Sequence, residues 1–106
     1  KLHRAQVTGT EKDYEGSIAI DTELLDEAHI TVGERVQVVN VTNGERFETY
    51  TIEGEPGQVE LNGAAARLAE PQDVIIVMSY GLYNEDEHPV PTMLLLGEGN
   101  RIVERQ

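Results

Sequence analysis

Short runs in which apolar and polar residues alternate dominate this sequence and predict a mainly β fold. Eight such runs are rich in β-branched residues and end at Gly, Asn, Pro or Asp, as strands do. They span residues 2–8, 16–20, 35–41, 46–53, 58–61, 74–80, 91–96 and 101–104. The Asn43-Gly44 pair between the third and fourth runs is typical of a tight hairpin turn. Eight short strands in 106 residues indicate a small, closed or nearly closed β-barrel.

Two segments carry helical signals instead. Asp21 is followed by leucines and an alanine at helical spacing, which predicts an N-cap at Asp21 and a short helix that ends near His29. The run 62–68 predicts a tight turn leading into one or two helical turns, which Pro71 ends. We therefore expect two short helices, and a single domain over residues 1–106 because no linker or repeat interrupts the chain.

Composition excludes several classes of function. Twenty acidic residues against eight basic ones give a net charge of −12, which disfavours binding to nucleic acid or to anionic membranes. The absence of cysteine excludes a disulfide framework and a thiolate nucleophile. The apolar runs are strand-sized and no apolar signal region is present, so we expect a cytoplasmic protein. The acidic segment 83–91 with His88 matches no ligand spacing, which predicts a solvated loop and no metal site.

The pair Gly16-Ser17, at the entry to the second predicted strand, is the first candidate for chemistry. Gly16 has no side chain to shield its carbonyl, and glycine tolerates the backbone angles of a strained turn. The Ser17 hydroxyl can therefore take over the Gly16 acyl group as an ester, after which elimination and hydrolysis leave a pyruvoyl group at position 17. Taken alone, a Gly-Ser pair is more often an ordinary turn.

Arg46 and Tyr50 are the next candidates. In a regular strand they share one face, about 13 Å apart, whereas Thr49 points to the other face. The Arg46 guanidinium offers a bidentate fork to a carboxylate, and the Tyr50 phenol can deliver a proton. The alternative interpretation is an exposed arginine and a half-buried structural tyrosine.

Two further segments provide polar groups. The turn at Asn62 and Gly63 precedes Ala64 and Ala65 at a helix start, where free backbone N–H groups can hold a carboxylate or an oxyanion. By itself this pattern is also an ordinary helix start. The segment 1–4 contributes the cation of Lys1, and its histidine is typical of a structural hydrogen-bonding residue.

In combination, these segments resemble the pyruvoyl-dependent aspartate 1-decarboxylase family. Five matching segments occur in the family's order across nearly the whole chain. They are Lys-Leu-His-Arg at 1–4, Tyr-Glu-Gly-Ser at 14–17, Asn-Val-Thr-Asn-Gly-Glu-Arg-Phe-Glu-Thr-Tyr at 40–50, Leu-Asn-Gly-Ala-Ala-Ala at 61–66 and Asp-Val-Ile-Ile-Val-Met-Ser-Tyr at 73–80.

The resemblance implies a double-psi β-barrel that assembles as a homotetramer with active sites between subunits. It implies conversion of L-aspartate to β-alanine and CO₂ for pantothenate and coenzyme A synthesis. The implied cofactor is the pyruvoyl group made from Ser17, which forms a Schiff base with the substrate, with no metal and no pyridoxal phosphate. Cleavage between Gly16 and Ser17 would leave chains 1–16 and 17–106.

The resemblance also assigns roles by position. Tyr50 becomes the proton donor, and Asn62 polarises the reacting carbonyl. The residues implied in self-cleavage are Tyr14, Gly16, Ser17, Thr49 and Asn62. The residues implied in substrate binding are Lys1, Arg46, Thr49, Gly63, Ala64 and Ala65. The sequence departs from the family at Asp13 and Arg67, where histidine is common, which leaves the cleavage rate and the need for an activator open.

Two other hypotheses stay open from the sequence. A pyruvoyl decarboxylase acting on glutamate differs by one methylene in the substrate, which shifts discrimination by only about 1–3 kcal/mol. A non-catalytic barrel, in which Ser17 is never processed, would serve as a binding or assembly module. An intact chain that stays intact on warm incubation would identify this last class.

Overall fold

The computed structural model describes residues 1–106 and contains nine strands, one α-helix and two short 3-10 helices. The strands are β1 (Leu2–Gln6), β2 (Gly9–Glu11), β3 (Ser17–Asp21), β4 (Arg35–Asn40), β5 (Arg46–Gly54), β6 (Val59–Asn62), β7 (Val74–Met78), β8 (Leu94–Leu96) and β9 (Ile102–Arg105). The helix α1 spans Thr22–Glu27, and the two 3-10 helices span Gly63–Arg67 and Glu98–Asn100.

The strands form one sheet that closes on itself. Its order is β2-β6-β3-β5-β4-β7-β1-β8-β9, so β1 and β2 lie six positions apart. A flat sheet would separate them by about 29 Å at roughly 4.8 Å per strand. The chain between Gln6 and Gly9 spans no more than about 10 Å. The sheet must therefore curl until β1 and β2 are neighbours in space, as the Thr8 amide shows by donating to Val59 O on β6 (2.8 Å).

One face of the curled sheet forms the core. Eighteen buried apolar residues make a single cluster that includes Ile18, Ile20, Val59 and Leu61, none of which is exposed to solvent. These four alternate along β3 and β6 with residues of the opposite face, among them Ser17. Apolar residues at every second position therefore fix the core face of both strands and turn Ser17 away from it.

The structure confirms the mainly β prediction and the hairpin between β4 and β5, where Gly44 has a φ of 80°. Asp21 caps α1 through a hydrogen bond from the Glu23 amide to its side chain (2.9 Å). Three expectations were wrong in detail. The second predicted helix is a 3-10 helix, the run 2–8 is a strand only to Gln6, and the run 91–96 is a strand only from Leu94. In addition, strand β2 at Gly9–Glu11 was not predicted.

The longest stretch without strand or helix is residues 79–93, between β7 and β8. Residues 80–91 of this stretch are all exposed, as the prediction of a solvated loop requires. None of the helices has the length and apolar character needed to cross a membrane.

Candidate active site

Ser17 is the first residue of β3 and is completely buried. Its hydroxyl donates a hydrogen bond to Glu15 O (3.0 Å) and accepts one from the Asn62 side-chain amide, Nδ2 (3.1 Å). A serine between one donor and one acceptor has a fixed rotamer, so Oγ is held beside the backbone of residues 15–17. This burial distinguishes Ser17 from the exposed serine of an ordinary turn.

Asn62 reaches Ser17 because β3 and β6 run antiparallel with these two residues directly opposite each other. Asn62 also precedes the first 3-10 helix, but its side chain makes no capping bond there. Its amide nitrogen faces Ser17, and its buried carbonyl oxygen, Oδ1, has no hydrogen-bond partner. An unpaired buried oxygen is costly, and such atoms in native proteins call for an explanation, which a functional role would supply.

Gly63 brings the start of this 3-10 helix against the Gly16 backbone. Gly63 has a φ of 71°, in the left-handed region that favours glycine. A Cβ at position 63 would lie 2.6 Å from Gly16 Cα and 2.7 Å from Gly16 N. Only glycine allows this approach. Gly16 itself does not have a positive φ, so the strained backbone considered at Gly16 from the sequence is not found there.

Tyr50 lies on the same face of the sheet as Ser17. Strands β3 and β5 are parallel, with Ile18 level with Thr51. Continuing this register by one residue sets Tyr50 level with Ser17, on neighbouring strands about 4.8 Å apart. Ile18 and Thr51 are completely buried on the inner face of the sheet, so Ser17 and Tyr50 both belong to the opposite face, where Tyr50 keeps 39% of its surface exposed. Three candidate residues therefore lie side by side on adjacent strands, at the same level: Asn62 on β6, Ser17 on β3 and Tyr50 on β5.

Three predicted residues are not brought to this cluster within one chain. Arg46 is exposed on the same face of β5 as Tyr50, but four residues away, about 13 Å along the strand. Thr49 is half-buried on the opposite face. Lys1 lies beside β7 and β8, in a cleft of about 880 Å³ that Ser17 does not line. Burial, with the nearby side-chain ammonium, lowers the pKa of the Lys1 α-amino group.

The remaining predicted residues surround Gly16 and Gly63. Tyr14 is exposed, and its carbonyl oxygen lies 3.1 Å from the position of a Cβ at Gly63. Ala64 is exposed and Ala65 half-buried at the start of the 3-10 helix. Because the first N–H groups of a helix lack partners within it, the amides at this end are suited to hold an anion.

Sequence reasoning missed Glu15. The Glu15 carbonyl oxygen accepts the Ser17 hydroxyl hydrogen bond and so decides where the hydroxyl points. The contact uses a backbone carbonyl, which every residue type has, so no pattern of side chains in the sequence predicts it. No group of three or more His, Asp or Glu residues is arranged to hold a metal ion.

Comparison with known proteins agrees with this geometry. The family model described as "Aspartate decarboxylase" matches residues 1–103. The chain belongs to this family. The aspartate 1-decarboxylase of Haloquadratum walsbyi is 78% identical over all of this chain and 93% of its own length. That of Kosmotoga olearia is 52% identical over 99% of this chain and 93% of its own length. The family resemblance stated from the motifs is confirmed.

A solved structure identifies the fold. The crystal structure of the rationally designed mkDPBB_sym_86 protein, a double-psi β-barrel, matches with a TM-score of 0.51. The match covers 71% of this chain and 90% of the designed one, at 17% sequence identity. Likeness at this identity concerns the fold alone. The prediction of a small double-psi β-barrel is confirmed.

Proposed function

We propose that this protein is an aspartate 1-decarboxylase that converts L-aspartate to β-alanine and CO₂ for pantothenate and coenzyme A synthesis. The whole chain acts as one cytoplasmic domain that cuts itself between Gly16 and Ser17. The observation that carries the proposal is the buried Ser17 hydroxyl, held between Glu15 O and the Asn62 amide directly after Gly16. Membership of the aspartate decarboxylase family supports it.

Self-cleavage uses only groups of this chain and one water. The Ser17 oxygen attacks the Gly16 carbonyl carbon, the Gly16–Ser17 amide bond breaks, and an ester forms. Loss of the Ser17 α-proton then expels the Gly16 carboxylate from the β-carbon. Tautomerisation to an imine and attack by water release ammonia, which leaves a ketone at position 17. The balance is one water consumed and one ammonia released.

The residues around Ser17 fit the pyruvoyl group that this sequence of steps produces. The Asn62 amide donates to Ser17 Oγ, the oxygen that leaves with the Gly16 carboxylate, and Asn62 Oδ1 is unpaired beside it. After that departure the amide is free to donate to the new ketone oxygen of residue 17, which comes from water. Gly16 is exposed, with no atom within 4 Å of where a Cβ would lie, so its new carboxylate has room to move away. The pyruvoyl group supplies an electron sink for decarboxylation, so the proposal includes neither a resident metal nor pyridoxal phosphate.

We assign the surrounding residues by position and chemistry. Asn62 Nδ2 positions the attacking Ser17 hydroxyl during cleavage. Afterwards it polarises the reacting carbonyl by donating to the ketone oxygen of residue 17. Tyr50, level with Ser17 on the same face, holds the proton that the product carbon receives. The family resemblance assigns Tyr14 and Thr49 to cleavage, and Thr49, on the opposite face of β5, would act from a neighbouring subunit. The substrate-binding set is Lys1, Arg46, Thr49 and the backbone groups of Gly63, Ala64 and Ala65.

The proposal includes a homotetramer with active sites between subunits. It is supported by the placement of Arg46, Thr49 and Lys1, none of which reaches Ser17 within one chain. A dianionic substrate needs cations in a protein with a net charge of −12. Supplying Arg46 or Lys1 from a neighbouring chain meets that need.

Mass measurement under denaturing conditions tests the proposal. We expect two fragments that divide at Gly16–Ser17, the larger one lighter by one ammonia than a chain beginning with serine. β-Alanine should form from L-aspartate, with L-glutamate as the comparison substrate. An uncut chain that persists after warm incubation, and forms no β-alanine, would instead favour a non-catalytic barrel.

Replacing Tyr50 by phenylalanine is expected to leave self-cleavage intact and to lower kcat for L-aspartate by about 10²–10⁴-fold, the range for loss of a proton donor. The phenol is lost while the ring, and hence the packing, stays. Fragment masses and β-alanine production measure the two effects separately. Native turnover in Tyr50→Phe would remove Tyr50 from this role.

A further inference from the structure

Residues 80–91, called the arm below, form hydrogen bonds with the rest of the molecule at their base only. There the Tyr80 hydroxyl donates to Gln37 Oε1 (3.0 Å), and the preceding Ser79 hydroxyl donates to the Glu34 carboxylate. Beyond Tyr80 the recorded hydrogen bonds join Asn84 and Glu87 to each other, within the arm. The arm is thus a long exposed segment with no hydrogen bonds to the barrel past its base.

The arm exposes four large apolar side chains on either side of its polar tip. Leu82 is fully exposed, and Val90, Tyr80 and Tyr83 are 86%, 71% and 58% exposed. Four of the nine large exposed apolar side chains of the protein lie in these few residues. Single exposed apolar residues are ordinary, but concentrated ones mark an interaction surface. The acidic residues are confined to the tip, at 85–87.

We propose that the arm packs against a second copy of this chain and is the contact that builds the assembly. The apolar side chains of one arm offer roughly 500 Å² for burial, and they cover a comparable area of the surface that receives them. Two arms exchanged about a two-fold axis therefore bury about 2,000 Å², within the range of stable interfaces. One arm on an unrelated partner would bury only half of this.

The location of the arm also favours a second copy as its partner. The arm forms one side of the cleft of about 880 Å³ that Lys1 lines, together with Met78 and Met93. Methionine side chains adapt to an incoming apolar surface. Lys1 is the residue that the proposed active site requires and that its own chain does not bring to Ser17. A contact beside Lys1 is therefore continuous with the site between subunits, and in this respect the inference rests on the proposed function.

The test measures assembly in the Ser17→Ala background, in which no cleavage occurs. Sedimentation velocity should show the uncut chain assembled at micromolar concentration. Leu82→Asp/Val90→Asp is expected to weaken assembly at least about 30-fold, because each substitution would bury an unpaired carboxylate. Val103→Asp, at a 62% exposed valine on β9, is the matched control and should stay assembled.

The outcomes separate this inference from the proposed function. Native assembly of Leu82→Asp/Val90→Asp overturns the inference alone. A single-chain mass for the Ser17→Ala protein overturns both the inference and the proposed homotetramer, and leaves the self-cleavage chemistry untouched. Normal assembly of a protein whose Ser17 is never processed counts against the proposed function alone. Cooperative thermal unfolding checks that the variants fold. Leu82→Ser/Val90→Ser adds no charge and should also weaken assembly, but less than the double aspartate variant does. Native assembly of this serine variant would contradict the inference as well.

Discussion

Ser17→Ala should yield one uncut chain without decarboxylase activity, the largest effect we expect of any single substitution. The change removes the only atom placed to attack the Gly16 carbonyl, the hydroxyl oxygen that Glu15 O and the Asn62 amide hold in position. Without the ester no elimination follows, and the ketone at position 17 never forms. Denaturing mass spectrometry after warm incubation and an assay for β-alanine measure the two losses.

The chain offers a matched control for this substitution. Ser79 is its one other serine, and it too is partly shielded and hydrogen-bonded through its hydroxyl, to Glu34. Ser79→Ala should be cut between Gly16 and Ser17 at the native rate, since the Ser79 hydroxyl bonds to Glu34 and not to the groups around Ser17. A Ser17→Ala protein that is cut at position 16 and turns over aspartate would refute the serine-derived ketone altogether.

The sequence predicted the members of the site better than their arrangement. Ser17, Asn62 and Tyr50 each stood out for their chemistry, but they are up to 45 residues apart in the chain. Their alignment depends on two registers, antiparallel between β3 and β6 and parallel between β3 and β5. The alternation of Ile18, Leu61 and other core residues fixes which face each strand buries, but not which strands become neighbours, and that pairing is decided by the packing of the whole barrel.

The same limit explains the errors in the predicted elements. The run 2–8 alternates as one strand, but its partners change at its end. The Val7 amide donates to Asp73 O, and the next amide, of Thr8, donates to Val59 O across the barrel. At this point the chain stops pairing with β7 and begins to pair with β6, where β2 follows. The change depends on which strands lie nearby in the folded barrel and not on the local sequence. The residues after Asn62 favour a helix, yet the left-handed Gly63 and the packing against Gly16 leave room for only a 3-10 helix.

The sequence correctly predicted that the arm is exposed, but it did not indicate that the arm is a candidate interaction surface. Its charged tip at 85–87 and His88 made the segment look like a plain solvated loop. Only the structure shows that Leu82 and Val90 do not pack into the core and are exposed to solvent. A sequence shows that a residue is apolar, but whether its own chain buries it depends on the fold.

Gly63→Ala is expected to slow self-cleavage by about 10²-fold or more while the protein still folds. The new Cβ would lie 2.6 Å from Gly16 Cα and 2.7 Å from Gly16 N, and both contacts are with backbone. Residues 14–16 must then shift, which moves the scissile carbonyl away from the fixed Ser17 hydroxyl. A misplacement of about 1 Å costs reactions of this kind about 10²-fold. The fraction of cut chain against time at constant temperature measures the effect.

Gly99→Ala separates this contact from the general cost of alanine in a left-handed conformation. Gly99 has a φ of 68°, close to the 71° of Gly63, but a Cβ there would meet no atom within 4 Å. Both variants carry the backbone strain of roughly 1–2 kcal/mol, so both should melt at a lower temperature than the native protein. Only Gly63→Ala should be cut slowly. Equal cleavage rates in the two variants would show that the approach of Gly63 to Gly16 has no part in preparing the peptide bond for attack.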